Sequence, residues 1–417
     1  MSDFQRELQN RLTAIRDQGL YRELRRVDSP QGPRIEVAGR TLINFSSNDY
    51  LGLAGHPALK EAAIKAVERF GVGSGASRLI CGSLSPHHEL EEALAAFKGT
   101  EATLSFSSGY ATAVGTICAL LGKDDIIITD KLIHACIVDA ARLCGAKLRI
   151  FAHNDLNDLE DILKWADRTR NAERGVRNNQ PSVLVVTESV FSMDGDHAPL
   201  AEMVALKEKH GAWLMVDEAH ATGLYGENRR GLAEALGVSD RIEIQMGTLG
   251  KALGASGGYI CGSRALVDFL INRARSFIFS TAPLPAAAAA SRAGIQLVQC
   301  HEGTERVEQL WRLAGACRTG VTPVSNFIPR PNGNQDGDSR HACPMPSAIL
   351  PIILGDEANA VTAAAKLREQ GLFVPAIRYP TVARGSARLR VTLTASHSAE
   401  DVATLVHALG KVLNHTS

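Results

Sequence analysis

Asp217 and His220 share the segment Val216-Asp217-Glu218-Ala219-His220, and Lys251 is the lone charge in Gly247-Thr248-Leu249-Gly250-Lys251-Ala252. Between them these residues offer a carboxylate, an imidazole and an amine. An amine forms a Schiff base with an aldehyde, and a carboxylate holds the proton of a basic ring nitrogen. An aldehyde carried on a pyridine ring needs both, so Asp217 and Lys251 together point to pyridoxal 5′-phosphate.

Most lysines are solvated, but Lys251 stands in an otherwise uncharged stretch, 245–260, among Gly247, Gly250, Gly254, Gly257 and Gly258. Glycines let backbone approach a ligand, and desolvation lowers the pKa of an amine enough to free its lone pair. Thr248 offers a hydroxyl to a phosphate. Asp217 follows the apolar run Trp213-Leu214-Met215-Val216. A helix N-cap is the rival reading for it, whereas a pyridinium partner accounts for an ionised group at the end of a buried strand. His220 is placed to reach a phenolic oxygen on such a ring, and alone it fits a structural histidine equally well.

Other residues fit the same ligand less specifically. Ser107-Ser108-Gly109-Tyr110-Ala111-Thr112 opens a helix-like stretch, and small residues at a helix start expose amides that suit a phosphate. His134 can stack on a planar ring, although a lone histidine is more often structural. Arg378, with Arg388 and Arg390 soon after, offers a forked grip on a carboxylate, with a surface ion pair as the even alternative.

These groups must be held by a scaffold. Short apolar runs at 126–128, 148–151, 183–186, 213–216 and 242–244 alternate with helical stretches and lack period-2 patterning. They read as strands buried on both faces, hence an α/β fold with a mainly parallel sheet between helices. Glu188, Asp217 and Lys251 each fall just after such a run, where ligands gather in these sheets. Apolar positions Phe4, Leu8, Leu12 and Ile15 predict an N-terminal helix, and 41–45 a short strand. Residues 322–347, with Pro, Asn, Gly and Asp crowded into 331–338, read as a long surface loop. Strand–helix–strand character returns over 348–354, 357–370 and 389–393. The expected division is an N-terminal helix and strand segment over 1–55, a large cofactor-binding domain over 56–290 and a small α+β domain over 291–417.

Composition narrows the partners. Lys+Arg and Asp+Glu both total 45 in 417 residues, so no net field attracts nucleic acid or an anionic membrane. The polar N-terminus carries no apolar signal region, and no run approaches a membrane span. The eight cysteines show no C-x-x-C pair, as expected of reduced thiols in a cytoplasmic protein without a metal centre. The adjacent His87-His88-Glu89 is a poor metal site, because neighbouring helical side chains diverge. The segment 217–220 also spells a helicase ATPase motif, but the phosphate loop that such an enzyme requires upstream is missing from the sequence. A non-catalytic α/β scaffold would bind no chromophore.

Five segments, in order, carry a family resemblance: Asn44-Phe45-Ser46-Ser47-Asn48-Asp49-Tyr50-Leu51-Gly52, Gly73-Ser74-Gly75-Ala76-Ser77-Arg78, Phe191-Ser192-Met193-Asp194-Gly195-Asp196, 216–220 and 248–251. The chain resembles the α-oxoamine synthases, fold-type I pyridoxal-phosphate enzymes that condense an amino acid with an acyl thioester and release carbon dioxide. The segments at 151–155, 196–200, 279–281 and 388–397 are most similar to the branch that joins L-alanine to a pimeloyl thioester. Ile80-Cys81-Gly82 and the run 250–258 resemble the branch that joins glycine to an acetyl donor.

The resemblance implies a large domain with a seven-stranded type of sheet and a smaller C-terminal domain. It implies Lys251 as the amine that carries the cofactor, Asp217 on its ring nitrogen and His134 stacked on the ring and near substrate, these three being the catalytic residues. His220 and Ser192 would lie near the phenolic oxygen. Gly109, Tyr110 and Thr248 would bind the phosphate, with Ser280 and Thr281 reaching it from the second subunit of a homodimer with shared active sites. Arg22, Arg378 and Thr381 would contact substrate, and Asn48 and Glu188 would line the site. The implied partners are L-alanine and an acyl thioester, carried on coenzyme A or an acyl-carrier protein.

Overall fold

The computed structural model describes residues 2–172, 180–321 and 345–413. The loop expected at 322–347 therefore lies, apart from its last three residues, outside the described residues. Strands run in chain order as β1 (Arg34–Val37), β2 (Arg40–Asn44), β3 (Ala102–Phe106), β4 (Ile126–Asp130), β5 (Lys147–Phe151), β6 (Val183–Glu188) and β7 (Trp213–Asp217). They continue as β8 (Ile244–Thr248), β9 (Gly258–Gly262), β10 (Ile349–Gly355), β11 (Leu372–Phe373), β12 (Ala376–Ile377) and β13 (Ala387–Thr392).

The chain divides into two units, one of Leu51–Ser192 with Asp196–Val307, the other of Met1–Tyr50, Met193–Gly195 and Glu308–Ser417. The larger unit is built on a seven-stranded sheet in the order β3-β9-β8-β7-β6-β4-β5. β5, β4, β6, β7 and β8 pair in parallel, and β9 runs antiparallel to both β8 and β3. As the unalternated apolar runs require, β4 and β6 are buried along their whole length. Leu104, Ile127, Leu184, Met215 and Ile260 form one core with Ile117, Ile137 and Leu270 from the helices Gly109–Leu120, Ala135–Cys144 and Arg264–Arg273. The run at 242–244 predicted a strand two residues early, because Ile242 ends a 3₁₀ turn before β8 begins.

In the smaller unit β10, β13 and β12 form an antiparallel sheet, accompanied by the helices Glu357–Glu369 and Ala399–Leu413, and β1, β2 and β11 form a second small sheet. The N-terminal helix Asp3–Asp17 has the predicted spacing and a Ser2–Gln5 capping box, yet none of its residues is buried. Among the described residues no helix is long and apolar enough to cross a membrane.

One close approach in the larger unit matters for the site. A Cβ on Gly258, at the start of β9, would lie 2.4 Å from Thr112 Oγ1 and 2.9 Å from the backbone nitrogen of Gly109. Hydrogen at this position lets the helix Gly109–Leu120 begin directly against the sheet. Gly258→Ala should therefore cost about 1–3 kcal/mol through overpacking, read as a lower urea midpoint with an unchanged m-value. An unchanged midpoint would show that the helix start has room to shift.

Candidate active site

β4, β6, β7 and β8 are successive parallel neighbours, so their carboxyl ends Asp130, Glu188, Asp217 and Thr248 share one edge of the sheet. Glu188 and Asp217 are register partners, which sets two carboxylates side by side. Lys251 follows just beyond β8. His134 caps the helix Ala135–Cys144, and Gly109 starts a helix whose N-cap Ser108 accepts the Ala111 N–H at 3.1 Å. All these elements open onto a cavity of about 150 Å³ lined by Gly109, Tyr110, His134, Glu188, Asp217, His220, Thr248 and Lys251, with Cys136, Ala219 and Met246.

The electrostatics follow from burial. Asp217 Oδ1 accepts the Ala219 N–H at 2.9 Å within a turn, so it does not cap a helix as the rival reading would have it. Burial pushes the Asp217 pKa up, opposed by the charge of Lys251. Glu188 is pushed up to about 8, by burial first and then by the charge of Asp217. Its Oε2 accepts the Ser192 N–H at 3.1 Å, while the buried Oε1 finds no hydrogen-bond partner among the described residues. Lys251 Nζ lies 2.7 Å from His220 Nε2, within hydrogen-bond distance. His134 Nδ1 accepts the Cys136 N–H at 3.2 Å, so the neutral ring carries its proton on Nε2. Burial lowers the His134 pKa and raises that of the Cys136 thiol.

Pyridoxal phosphate fits this donor set. A buried carboxylate with a raised pKa suits a cationic ring nitrogen, and an amine faces the same space. The first-turn amides of Gly109 and Tyr110 are not consumed by their own helix, leaving donors for a phosphate. Thr248 Oγ1 donates to the Gly257 carbonyl at 2.9 Å and accepts the Gly250 N–H at 3.2 Å, which orients it beside Lys251. Tyr110 donates its hydroxyl to Asp139 at 3.1 Å.

Some expected residues lie elsewhere. Ser280 and Thr281 border a separate small cavity with Arg78 and Ser107. Arg22, Arg378 and Thr381 gather in the smaller unit around a cavity of about 450 Å³. There Arg378 donates to the carbonyls of Gly19 and Tyr21 at 2.6 and 2.7 Å, and Arg22 to Thr381 Oγ1 at 3.5 Å. Asn48 accepts from Arg390 at 3.1 Å, and Arg388 is paired with Asp194, so these two arginines are spent on their own unit. His87 bonds the Pro283 carbonyl and His88 meets Ser83 Oγ, two divergent directions. Among the described residues no group of three or more His, Cys, Asp or Glu side chains is placed to hold a metal. Cys136 and Met246 escaped the sequence reading. Met246 was legible in retrospect, since period-2 alternation puts it on the same side of β8 as Thr248.

The profile of the aminotransferase class I and II family matches residues 40–409. The chain belongs to that family. Among its relatives, the 8-amino-7-oxononanoate synthase of Geotalea daltonii is 47% identical over 401 residues, 96% of each chain. That of Geobacter sulfurreducens is 46% identical over 98% of each. Of solved structures, serine palmitoyltransferase from S. paucimobilis with bound PLP and myriocin superposes with a TM-score of 0.86 at 30% identity, covering 98% of this chain and 97% of that one. An 8-amino-7-oxononanoate synthase from Francisella tularensis gives 0.71 at 26% identity, covering 90% and 98%. Similarity along nearly the whole length of this class I and II aminotransferase family member agrees with the resemblance carried by its motifs, and leaves the ATPase reading of 217–220 without support.

The raised pKa of Glu188 predicts a pH dependence for the cofactor-free protein. A carboxyl whose folded pKa of about 8 exceeds its unfolded value of 4.5 contributes stability that is full below pH 4.5 and is lost as pH rises through 8. Glu188→Gln cannot lose it. The variant should therefore melt above wild type at pH 8, with the gap closing towards pH 4.5. Parallel melting curves across that range would refute the assignment.

Proposed function

We propose that this protein joins L-alanine to a pimeloyl thioester, releasing carbon dioxide and free thiol and forming 8-amino-7-oxononanoate for biotin biosynthesis, with pyridoxal 5′-phosphate as cofactor. The observation that carries this reading is 47% identity over 96% of both chains to a synthase of that name. A cavity where one lysine meets two buried acids supports it chemically. Glycine with an acetyl donor is the less supported pairing.

Bound pyridoxal phosphate supplies an electrophilic aldehyde and a ring that withdraws electrons from the amino-acid Cα. Lys251 Nζ would hold the cofactor by its aldehyde group, and the same amine, placed in the cavity beside the amino acid, would take the Cα proton. Asp217, fixed by the Ala219 amide, keeps a proton on the ring nitrogen. His134 would stack its neutral ring on the cofactor, and His220 and Ser192 would serve the phenolic oxygen. Gly109, Tyr110 and Thr248 hold the phosphate, where the helix N-terminus adds partial positive charge. Arg378 grips the alanine carboxylate with donors beyond the two engaged at Gly19 and Tyr21. Arg22, Thr381 and Asn48 complete the substrate contacts. The position of Ser280 and Thr281 outside their own chain's Lys251 cavity supports a homodimer in which they finish the second subunit's phosphate site. The acyl group arrives on coenzyme A or a carrier protein, and a cytoplasmic location fits such water-soluble substrates.

Lys251→Ala should lower kcat by about 10²–10⁴-fold, the range of a positioned proton-transfer group, with thiol release as the readout. Wild-type turnover in that variant would remove Lys251 from the reaction. Alanine with pimeloyl-CoA should exceed glycine with acetyl-CoA in kcat/KM by about tenfold or more. The reverse order would hand the reaction to the glycine pairing.

A further inference from the structure

In the same unit as the cavity, His153 stands between two carboxylates. Its Nδ1 lies 2.9 Å from Asp130 Oδ1 and its Nε2 2.7 Å from Asp196 Oδ2. Carboxylates only accept, so both ring nitrogens donate and the ring is an imidazolium. Burial opposes the charge, but hydrogen bonds donated to the two acids, with their negative charge, outweigh it and push the His153 pKa up to about 10, consistent with that state. Phe191 meets the ring edge-on, with centroids 4.4 Å apart.

Each carboxylate belongs to a segment that carries a site residue. Asp130 ends β4, and its Oδ1 also accepts the Leu132 N–H at 2.7 Å, which shapes the turn leading to His134. Its Oδ2 accepts the Asn154 N–H at 2.9 Å. Asp196 closes the loop after β6 that carries Ser192: its carbonyl accepts the Phe191 N–H at 3.0 Å, and Val190 bridges His197. Asn154 Nδ2 adds bonds to Asp196 Oδ2 at 3.2 Å and the His197 carbonyl at 3.1 Å. The cluster is rich in acceptors, since Asp196 Oδ1 and Asn154 Oδ1 are buried without a hydrogen-bond partner among the described residues. Without the His153 cation, two carboxylates would face each other with an unmet excess of charge.

We propose that His153 is a positioning residue: by bridging Asp130 and Asp196 it holds the His134 turn and the Ser192 loop together in the register that a cofactor in the Lys251 cavity requires. The inference rests on reading that cavity as the pyridoxal-phosphate site. It extends that reading to a residue that does not line the cavity.

The test titrates pyridoxal phosphate onto apo-protein of wild type, His153→Gln, Asp196→Asn, the double variant and His153→Arg, following the visible absorbance of the bound cofactor. Each single variant should raise Kd by about tenfold or more, and the double variant should add little to either, since coupled residues are non-additive. His153→Arg, which keeps a cation with donors for both acids, should recover much of the loss. Thermal melts of the apo-proteins run alongside. Wild-type cofactor affinity and spectrum in His153→Gln would overturn the proposal, as would additive losses that only track a lower Tm. Failure of the wild type itself to bind pyridoxal phosphate would instead overturn the reading of the cavity.

Discussion

Two acidic side chains lie side by side at the ends of adjacent parallel strands, buried from water, with a lysine amine facing the same cavity. Pairing of β6 with β7 places Glu188 opposite Asp217, and burial of both makes full ionisation costly. The charge of Lys251 opposes the upward shift of both pKa values. Two buried acids whose pKa values are both raised form an arrangement that a cationic ring nitrogen would stabilise. The site therefore stores its electrostatic demand for a ligand in the backbone register of the sheet.

The surrounding elements keep that pair rigid. Glu218, next to Asp217, is buried against Lys98, which also donates to the Arg230 carbonyl. The other Glu218 oxygen accepts the Ala233 N–H at 2.9 Å, and the Glu218 carbonyl accepts from Ala221 and Thr222. A Cβ on Gly231, whose φ is +141°, would collide with the same carboxylate. The turn that carries His220 is thus tied through Glu218 to Lys98 and to the helix starting at Leu232, with Gly231 packed against the same carboxylate. Such a buried pair is weak evidence for stability but a firm constraint on geometry. His153 does the same work for the β4 and β6 ends. The site is held by charge on its protein side while its cavity side stays open for a ligand.

The apolar runs revealed β4 and β6 because a strand covered on both faces must be apolar at every position, whereas β5, at the sheet edge, leaves Arg149 and Ile150 exposed. The same logic hid β3. Its polar members Thr103 and Ser105 are satisfied internally, by Cys261 Sγ at 3.1 Å and by Glu91 at 2.7 Å, so the run looks broken in sequence. Arg388 and Arg390 illustrate the opposite error. Their type suits carboxylate recognition, but their place on the buried β13 commits them to Asp194, Asn48 and Thr392. Nothing local distinguishes a buried structural arginine from a ligand-binding one.

Residue type and order alone carried the chemistry: an amine in an uncharged glycine-rich stretch, a carboxylate after a buried strand, and a small-residue helix start. Those features are local, because desolvation, strand burial and helix capping act over a few neighbours. Long-range pairing set the rest. It placed Glu188 against Asp217, drew Cys136 and Met246 into the cavity and joined His153 to both Asp130 and Asp196. These contacts depend on which strands become neighbours, and that is settled by the packing of the whole sheet rather than by any segment of it.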